Sequence, residues 1–108
     1  MATGRLGTAN ITTTADTTVY TVPSSTFSVV SVNVVNRGTA SALIRIAVAS
    51  SATPSLAEYI EFDSSLIAKG VIERTGIVMD ASKLLVVSTP TSSPSLSVVV
   101  YGIETSTT

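Results

Sequence analysis

The amino-acid sequence predicts an all-β protein, a single antiparallel β-sandwich of about seven strands with a jelly-roll-like or immunoglobulin-like arrangement. Three observations support this prediction. Val, Ile and Thr are abundant, apolar and polar residues alternate along most segments, and turn residues separate these segments. A chain of 108 residues matches the size of one domain. We expect an extended N-terminal arm to precede the sandwich.

The composition is low in charge and rich in hydroxyl groups. Charged residues make up 12% of the chain, about half of the ~25% usual for soluble domains, while Ser and Thr fill about a third of the positions. The net charge is −1, and the six Lys and Arg are scattered. This distribution lacks the basic patch that nucleic-acid binding needs. No apolar run approaches the ~18 residues of a membrane span, so neither nucleic acid nor membrane is expected as a partner.

The first 16 residues are rich in Gly, Thr and Ala and show no periodicity. We interpret residues 1–16 as an arm that stays extended or disordered until a partner binds it, with an ordinary frayed terminus as the alternative. The segment lacks the apolar stretch of a signal peptide, so none is expected. If the arm hypothesis holds, removing residues 1–15 weakens attachment to a partner and leaves the fold intact.

The domain proper is predicted to span residues 17–104. Residues 17–22 are rich in strand-forming residues and end at Pro23. Residues 27–36 and 41–49 each alternate, and the Asn36-Arg37-Gly38 sequence between them is typical of a turn, so these two strands are predicted to form a hairpin.

Four more strands complete the predicted domain. Residues 58–62 form a short strand, and residues 70–78 form a longer one in which Gly76 is a candidate bulge. Strands at residues 83–88 and 95–103 follow, and residues 105–108 are predicted to form a flexible tail. The strand at residues 27–36 carries Val29 and Val35 beside Val30 and Val34, which gives it apolar residues on both faces. A second apolar face is expected where subunits pack, which predicts a homo-oligomer.

The residues that usually carry catalysis are scarce. The chain has no His and no Cys, so the common general base and the Ser-His and Cys-His pairs are missing. The sequence therefore predicts a protein that is not an enzyme and has no cofactor. Glu61 and Asp63 share one face of a predicted strand and, with Glu58, have the oxygen ligands that Ca²⁺ prefers. The alternative, which we favour, is that these carboxylates form a solvated edge or pair with Arg45 or Arg74, so no metal site is predicted.

Two further groups of residues have a structural interpretation. Glu73 and Arg74 are neighbours on a strand and point to opposite faces, so one is expected to meet a cross-strand partner and the other a neighbouring subunit. The aromatic residues lack the basic groups of a nucleic-acid platform and are expected in the core. They are Tyr20, Phe27, Tyr59, Phe62 and Tyr101.

Several runs of the sequence resemble small virion-associated proteins of tailed bacteriophages, especially those of cyanobacterial phages. The runs lie at residues 17–23, 32–38, 44–49, 58–63, 70–78 and 98–104. The most specific parts are the Asn36-Arg37-Gly38 turn and the Glu73-Arg74-Thr75-Gly76 stretch. The resemblance implies a structural component of the particle built as a β-sandwich, with no active-site residues to transfer.

On this basis we expect a capsid decoration or cement protein on the virion surface. It would bind and stabilise neighbouring subunits of the major capsid protein, as a homo-oligomer for which a trimer would suit local three-fold axes. The alternative is a tail, baseplate or fibre accessory protein, including a receptor-binding one. The residues predicted to contact partners are Arg5, Leu6, Ile11, Arg37 and Arg74.

Overall fold

A computed structural model describes residues 2–107 and contains eight β-strands and one short 3₁₀ helix in that range. The first four strands are β1 (Thr3–Ile11), β2 (Thr17–Thr21), β3 (Thr26–Asn36) and β4 (Ala42–Ala49). The 3₁₀ helix (Leu56–Glu58) leads directly into β5 (Tyr59–Leu66). The last three strands are β6 (Val71–Met79), β7 (Leu84–Ser88) and β8 (Leu96–Ser106).

The strands form two antiparallel sheets of four strands each. Sheet I has the order β1-β8-β3-β6, and sheet II has the order β2-β7-β4-β5. Most consecutive strands therefore lie in different sheets, and β4–β5 is the one consecutive pair that is hydrogen-bonded within the described residues. The all-β prediction is confirmed, with eight strands instead of about seven.

The hydrophobic core lies between the two sheets. Alternate residues of β3 and β8 face inward from sheet I, and alternate residues of β4 and β7 face inward from sheet II. These residues belong to one continuous buried cluster, so the inner faces of the sheets enclose a common core. Its central members are Val30, Val32, Val34, Ile44, Ile46, Leu85, Val87, Leu96, Val98 and Val100.

The segment predicted as a separate arm contains β1, the edge strand of sheet I. It pairs with β8 from Thr3 to Ile11, and the Ile11 side chain is only 2% exposed. The register shifts between Arg5 and Gly7, which breaks the spacing of the apolar residues along the strand. The arm is therefore not confirmed. The segment pairs with β8, and its Ile11 side chain is buried in the core of the domain.

Gly7 explains how β1 comes so close to the neighbouring sheet. A Cβ atom at this position would lie 2.2 Å from the Val19 carbonyl oxygen of β2. Any side chain would therefore push the two strands apart, and only glycine permits this approach. A glycine that looked like a sign of disorder in the sequence thus serves the packing of an ordered edge strand.

Strand β8 runs further than the predicted domain boundary at residue 104. Thr105 pairs with Phe27, and Ser106 pairs with Thr26, both of β3. The first two residues of the predicted flexible tail therefore extend sheet I, while Thr108 lies outside the described residues.

The predicted hairpin of residues 27–36 and 41–49 is wrong, because β3 and β4 lie in different sheets. Asn36, which is buried, holds the connection between them. Its Nδ2 donates to the carbonyl oxygens of Ala40 (2.9 Å) and Leu66 (3.1 Å), and its Oδ1 accepts from the Gly38 N–H (2.9 Å). Alternation cannot distinguish strands that pair in a hairpin from strands that face each other across a core.

The bulge predicted at Gly76 is confirmed. Along β3 the register advances by two residues from Val30 to Val32, while along β6 it advances by three, from Ile77 to Arg74. Gly76 lies in this bulge, where β6 has one residue more than β3. Its φ is +68°, a conformation that favours glycine. The bulge interrupts the long edge strand of sheet I.

We expect Ile11→Ala to destabilise the protein by about 2–5 kcal/mol, because it empties a buried site in the core. Urea unfolding followed by circular dichroism measures this change. Ile67→Ala is the matched control, since Ile67 is 68% exposed and should change stability by less than about 0.5 kcal/mol. Equal stabilities of the two variants would show that β1 is not anchored in the core.

Candidate interaction surface

The acidic residues of β5 are paired with arginines. Asp63 accepts two hydrogen bonds from Arg45, with Nε–Oδ1 and Nη2–Oδ2 distances of 2.6 and 3.3 Å. Glu61 forms an ion pair with Arg74 of β6 and also accepts a hydrogen bond from the Ser64 hydroxyl. The geometry thus matches the ion-pair interpretation of these carboxylates.

Glu58, the third acidic residue considered as a calcium ligand, caps the loop that precedes β5. Its carboxylate accepts hydrogen bonds from the backbone N–H groups of Ser55 (2.9 Å) and Ser50 (3.0 Å). These bonds lower the pKa of Glu58, because they favour its charged form. Among residues 2–107, no group of three or more His, Cys, Asp or Glu is placed to hold a metal ion.

Glu73 and Arg74 each contact a different side chain of the same chain. Glu73 accepts a hydrogen bond from the Tyr101 hydroxyl on the outer face of sheet I, which confirms the cross-strand partner. Arg74 points the other way and meets Glu61 of sheet II, so its ion pair joins the edge strands of the two sheets. Both residues thus have a partner within the chain, and a contact with a neighbouring subunit stays a prediction.

The aromatic residues are not all in the core. Tyr20 is buried and Tyr59 and Tyr101 are half-buried, whereas Phe27 is 37% exposed and Phe62 is 49% exposed. The prediction of core positions is wrong for the two phenylalanines. Phe27 alternates with the buried residues on either side of it in β3, and therefore lies on the outer face of sheet I.

Phe62 belongs to a small cluster at the edge of sheet II. The Arg45 guanidinium lies 4.3 Å from the centre of the Phe62 ring, and the Tyr59 ring meets it edge-on with centroids 5.0 Å apart. The hydrogen bonds to Asp63 raise the pKa of Arg45 by stabilising its charged form. The cluster therefore presents an exposed aromatic ring beside a fixed ion pair.

Tyr20 connects the two sheets at one end of the domain. Its hydroxyl donates to Glu104 Oε2 of β8 at 2.6 Å. The other oxygen of Glu104 accepts from the Ala2 N–H at 3.2 Å, which ties down the start of β1. Burial, together with the bond to Glu104, raises the pKa of Tyr20 to about 12. Glu104 thus links three strands from both sheets.

The five residues predicted to bind partners do not form one exposed surface. Arg5 is exposed on β1, Leu6 is half-buried against the core, and Ile11 is enclosed. Arg37 is exposed and donates to the Asn10 side chain, whereas Arg74 is engaged with Glu61. The buried position of Ile11 follows from the pairing of β1 with β8.

The outer face of sheet I carries a contiguous group of apolar residues. Val29 of β3 pairs with Val78 of β6 on one side and with Ile103 of β8 on the other, and Phe27 is the next outward residue along β3. We call Phe27, Val29, Val78 and Ile103 the outer patch. Val78 is 68% exposed and Ile103 is 49% exposed. Contiguous exposed apolar residues of this kind mark interaction sites.

The outer face of sheet II differs, because the chain covers it. Ala47 and Ala49 of β4 and Val86 of β7 are almost completely buried there. Tyr59 and Leu84 pack against them and form a second, smaller apolar cluster. This part of the outer face of sheet II is therefore covered by the chain itself, whereas Leu43, further along β4, is 37% exposed.

A cavity of about 200 Å³ lies between the β3–β4 and β7–β8 loops. Its lining is uncharged and rich in hydroxyl groups, and Asn36 at its wall uses its amide to hold the β3–β4 loop. The hydroxyl-bearing residues of the lining are Thr39, Ser41, Thr91, Ser92, Ser93 and Ser95.

Comparison with protein-family models, with curated proteins and with solved structures finds no match to this chain. In the part of the chain that the structure describes, no helix has the length and apolar character needed to cross a membrane. The interpretation of function therefore depends on the fold and surfaces described above, together with the sequence resemblance.

We expect Arg74→Ala to lower the free energy of unfolding by about 1 kcal/mol. The side chain of Glu61 is only 9% exposed, so removing its partner leaves a carboxylate with little water around it. Urea unfolding at low and high salt measures this loss.

Lys83→Ala provides the control for Arg74. Lys83 pairs with Asp80, whose side chain is 77% exposed, and this surface pair should contribute less than about 0.5 kcal/mol. A loss for Arg74→Ala no larger than that for Lys83→Ala would contradict a structural role for the ion pair.

We expect stability to decrease between about pH 10 and pH 12 through Tyr20. Its pKa in the folded state is raised, so the folded state holds the phenol proton more tightly than the unfolded chain does. This contribution, about 2–3 kcal/mol, is complete below pH 10, the ordinary pKa of tyrosine, and is lost as the pH rises through the folded-state pKa. Tyr20→Phe should lack this part of the decrease, and Tyr101→Phe should retain it. Identical alkaline profiles of the parent and Tyr20→Phe proteins would contradict the assignment.

Proposed function

We propose that this chain is a non-enzymatic structural protein of a virion, a decoration or cement protein that binds and stabilises neighbouring capsid subunits at the particle surface. The resemblance of residues 17–104 to virion-associated phage proteins supports this proposal. The structural observation that carries it is the strand order of the two sheets.

The order β1-β8-β3-β6 facing β2-β7-β4-β5 is that of a jelly roll, two Greek keys wound into a double-sheet sandwich. An immunoglobulin-like domain distributes its strands differently, with sheets of four and three strands in its seven-stranded form. Jelly rolls are frequent in viral capsid proteins, lectins and cupins. Of these, capsid domains act through surface contacts, which suits a chain without His or Cys.

The surfaces support a protein that works by contact. The open apolar face of sheet I offers area for association, while the low charge and many hydroxyl groups of the chain suit display in many copies. The partners under this proposal are major capsid protein subunits and further copies of the chain.

The second candidate function is that of a tail, baseplate or fibre accessory protein that binds a receptor. The exposed ring of Phe62 favours it, since it lies beside Arg45 and Asp63 at the edge of sheet II. Exposed aromatic and Arg side chains are typical anchors of binding surfaces. The two candidates differ in where the protein lies and in how many copies a particle holds.

Quantitative mass spectrometry of purified particles, referenced to the major capsid protein, tests the proposal. A decoration protein should be present in hundreds of copies, because it repeats with the shell lattice. A dozen copies or fewer would support the tail or fibre candidate, and absence from the particle would overturn both.

Phe62→Ala separates the two candidates by function. A receptor-binding protein should lose adsorption to host cells while its copy number stays unchanged. A decoration protein should adsorb normally with this variant and lose capsid stability when the chain is omitted altogether.

A further inference from the structure

The outer face of sheet I combines exposed apolar residues with two charges at opposite edges. At one end lies the outer patch of Phe27, Val29, Val78 and Ile103. At the other end, Val35 of β3 pairs with Val71 of β6, which is also exposed. Exposed apolar residues grouped in this way favour a partner that covers them.

The two charged residues of this face lie on its two outermost strands. Arg5 is on β1, next to Tyr101 of β8 in the register of the sheet. Glu73 is on β6, next to Asn33 of β3. Both side chains are exposed. One edge of the face is therefore positive and the other is negative, while the residues of β8 and β3 that face outward between them are uncharged.

This arrangement is complementary to itself. A two-fold axis parallel to the strands places β1 of one copy over β6 of another, and β8 over β3. Arg5 of each copy then faces the edge that carries Glu73 of the other copy. Ile103 of each copy lies over Val29 of the other copy. Every contact is made twice, as in isologous dimers.

We infer that the outer face of sheet I binds the same face of a second copy of this chain, forming a two-fold dimer. Two sheets that pack face to face lie about 10 Å apart with their strands within about 30° of each other. At this separation the side chains of both outer patches can interdigitate, and Arg5 and Glu73 can bridge the gap. The inference concerns the purified protein and does not rest on the proposed virion function.

A second copy fits this face better than an unrelated protein does, because it supplies a charge of opposite sign for both Arg5 and Glu73. Glu73 already accepts a hydrogen bond from Tyr101 and retains a second carboxylate oxygen for Arg5 of the other copy. The outer face of sheet II stays free in such a dimer, as does the edge where Phe62 is exposed. The dimer therefore leaves surface for a shell or a receptor.

Sedimentation equilibrium of the full chain over a range of concentrations tests the inference. The expected result is reversible association to twice the chain mass of 11.0 kDa. A monomer at all concentrations would overturn the dimer, and a trimer would overturn the two-fold arrangement. Circular dichroism of each variant below establishes that it is folded.

Val78→Asp tests the outer patch, with Ile67→Asp as the matched control. Both residues are 68% exposed, but Ile67 lies in the β5–β6 connection and not on the outer face. Val78→Asp should raise the dimer dissociation constant by at least about tenfold, and Ile67→Asp should leave it unchanged. Equal effects of the two variants would place the contact elsewhere.

Charge reversal tests the two-fold register independently. Arg5→Glu alone and Glu73→Arg alone should each weaken the dimer, because each sets like charges against one another. The double variant should restore association to within about threefold of the parent. The bond from Tyr101 to Glu73 is lost in the Glu73→Arg single variant and in the double variant alike, so recovery cannot come from it. Additive weakening in the double variant would overturn the pairing.

Discussion

Sheet I is completed by β8, the last strand of the chain, which lies between β1 and β3. All eleven of its residues pair with β3, and β1 pairs with its other side. Leu96, Val98 and Val100 of β8 point into the core between the sheets. Because these contacts join residues far apart in sequence, neither β1 nor the bond from Tyr20 to Glu104 can form until β8 is in place. The fold is thus closed by its C-terminal part, which is costly in loop entropy and slow to assemble.

The two sheets share one core and yet present different outer faces. On sheet II, Ala47, Ala49 and Val86 are covered by Tyr59 and Leu84, which the chain supplies itself. On sheet I no described segment covers the outer patch, so Val78 and Ile103 are exposed in the single chain. The outer face of sheet I is therefore the one that we assign to association. The ion pair of Arg74 with Glu61 holds the edges of the sheets together without using either outer face.

Much of the architecture could be predicted from the sequence, and the failures have physical causes. Strands β2 to β8 correspond to the seven predicted segments, because β-branched and alternating apolar residues mark them and turn residues separate them. β1 was not predicted as a strand, because the register shift after Arg5 interrupts its periodicity and because its glycines are typical of a loop. The exposure of Phe62 could not be predicted either, since β5 carries apolar residues on both faces and the sequence does not show which face is buried. Pairing of the β5 carboxylates with Arg45 and Arg74 was one of two predicted alternatives, and the structure distinguishes it from a solvated edge.

The bond from the Glu104 N–H to the Ala2 carbonyl oxygen, 2.9 Å long, brings the chain back to its starting point. Thr3 pairs there with Ile103, a member of the outer patch. The first and last strands of the described residues therefore lie side by side at this end of sheet I. A circular permutant opened in the exposed loop at residues 50–55 would keep every ladder of both sheets. A bulky fusion at either end of the described chain, in contrast, would emerge next to the outer patch and crowd the face that we assign to self-association.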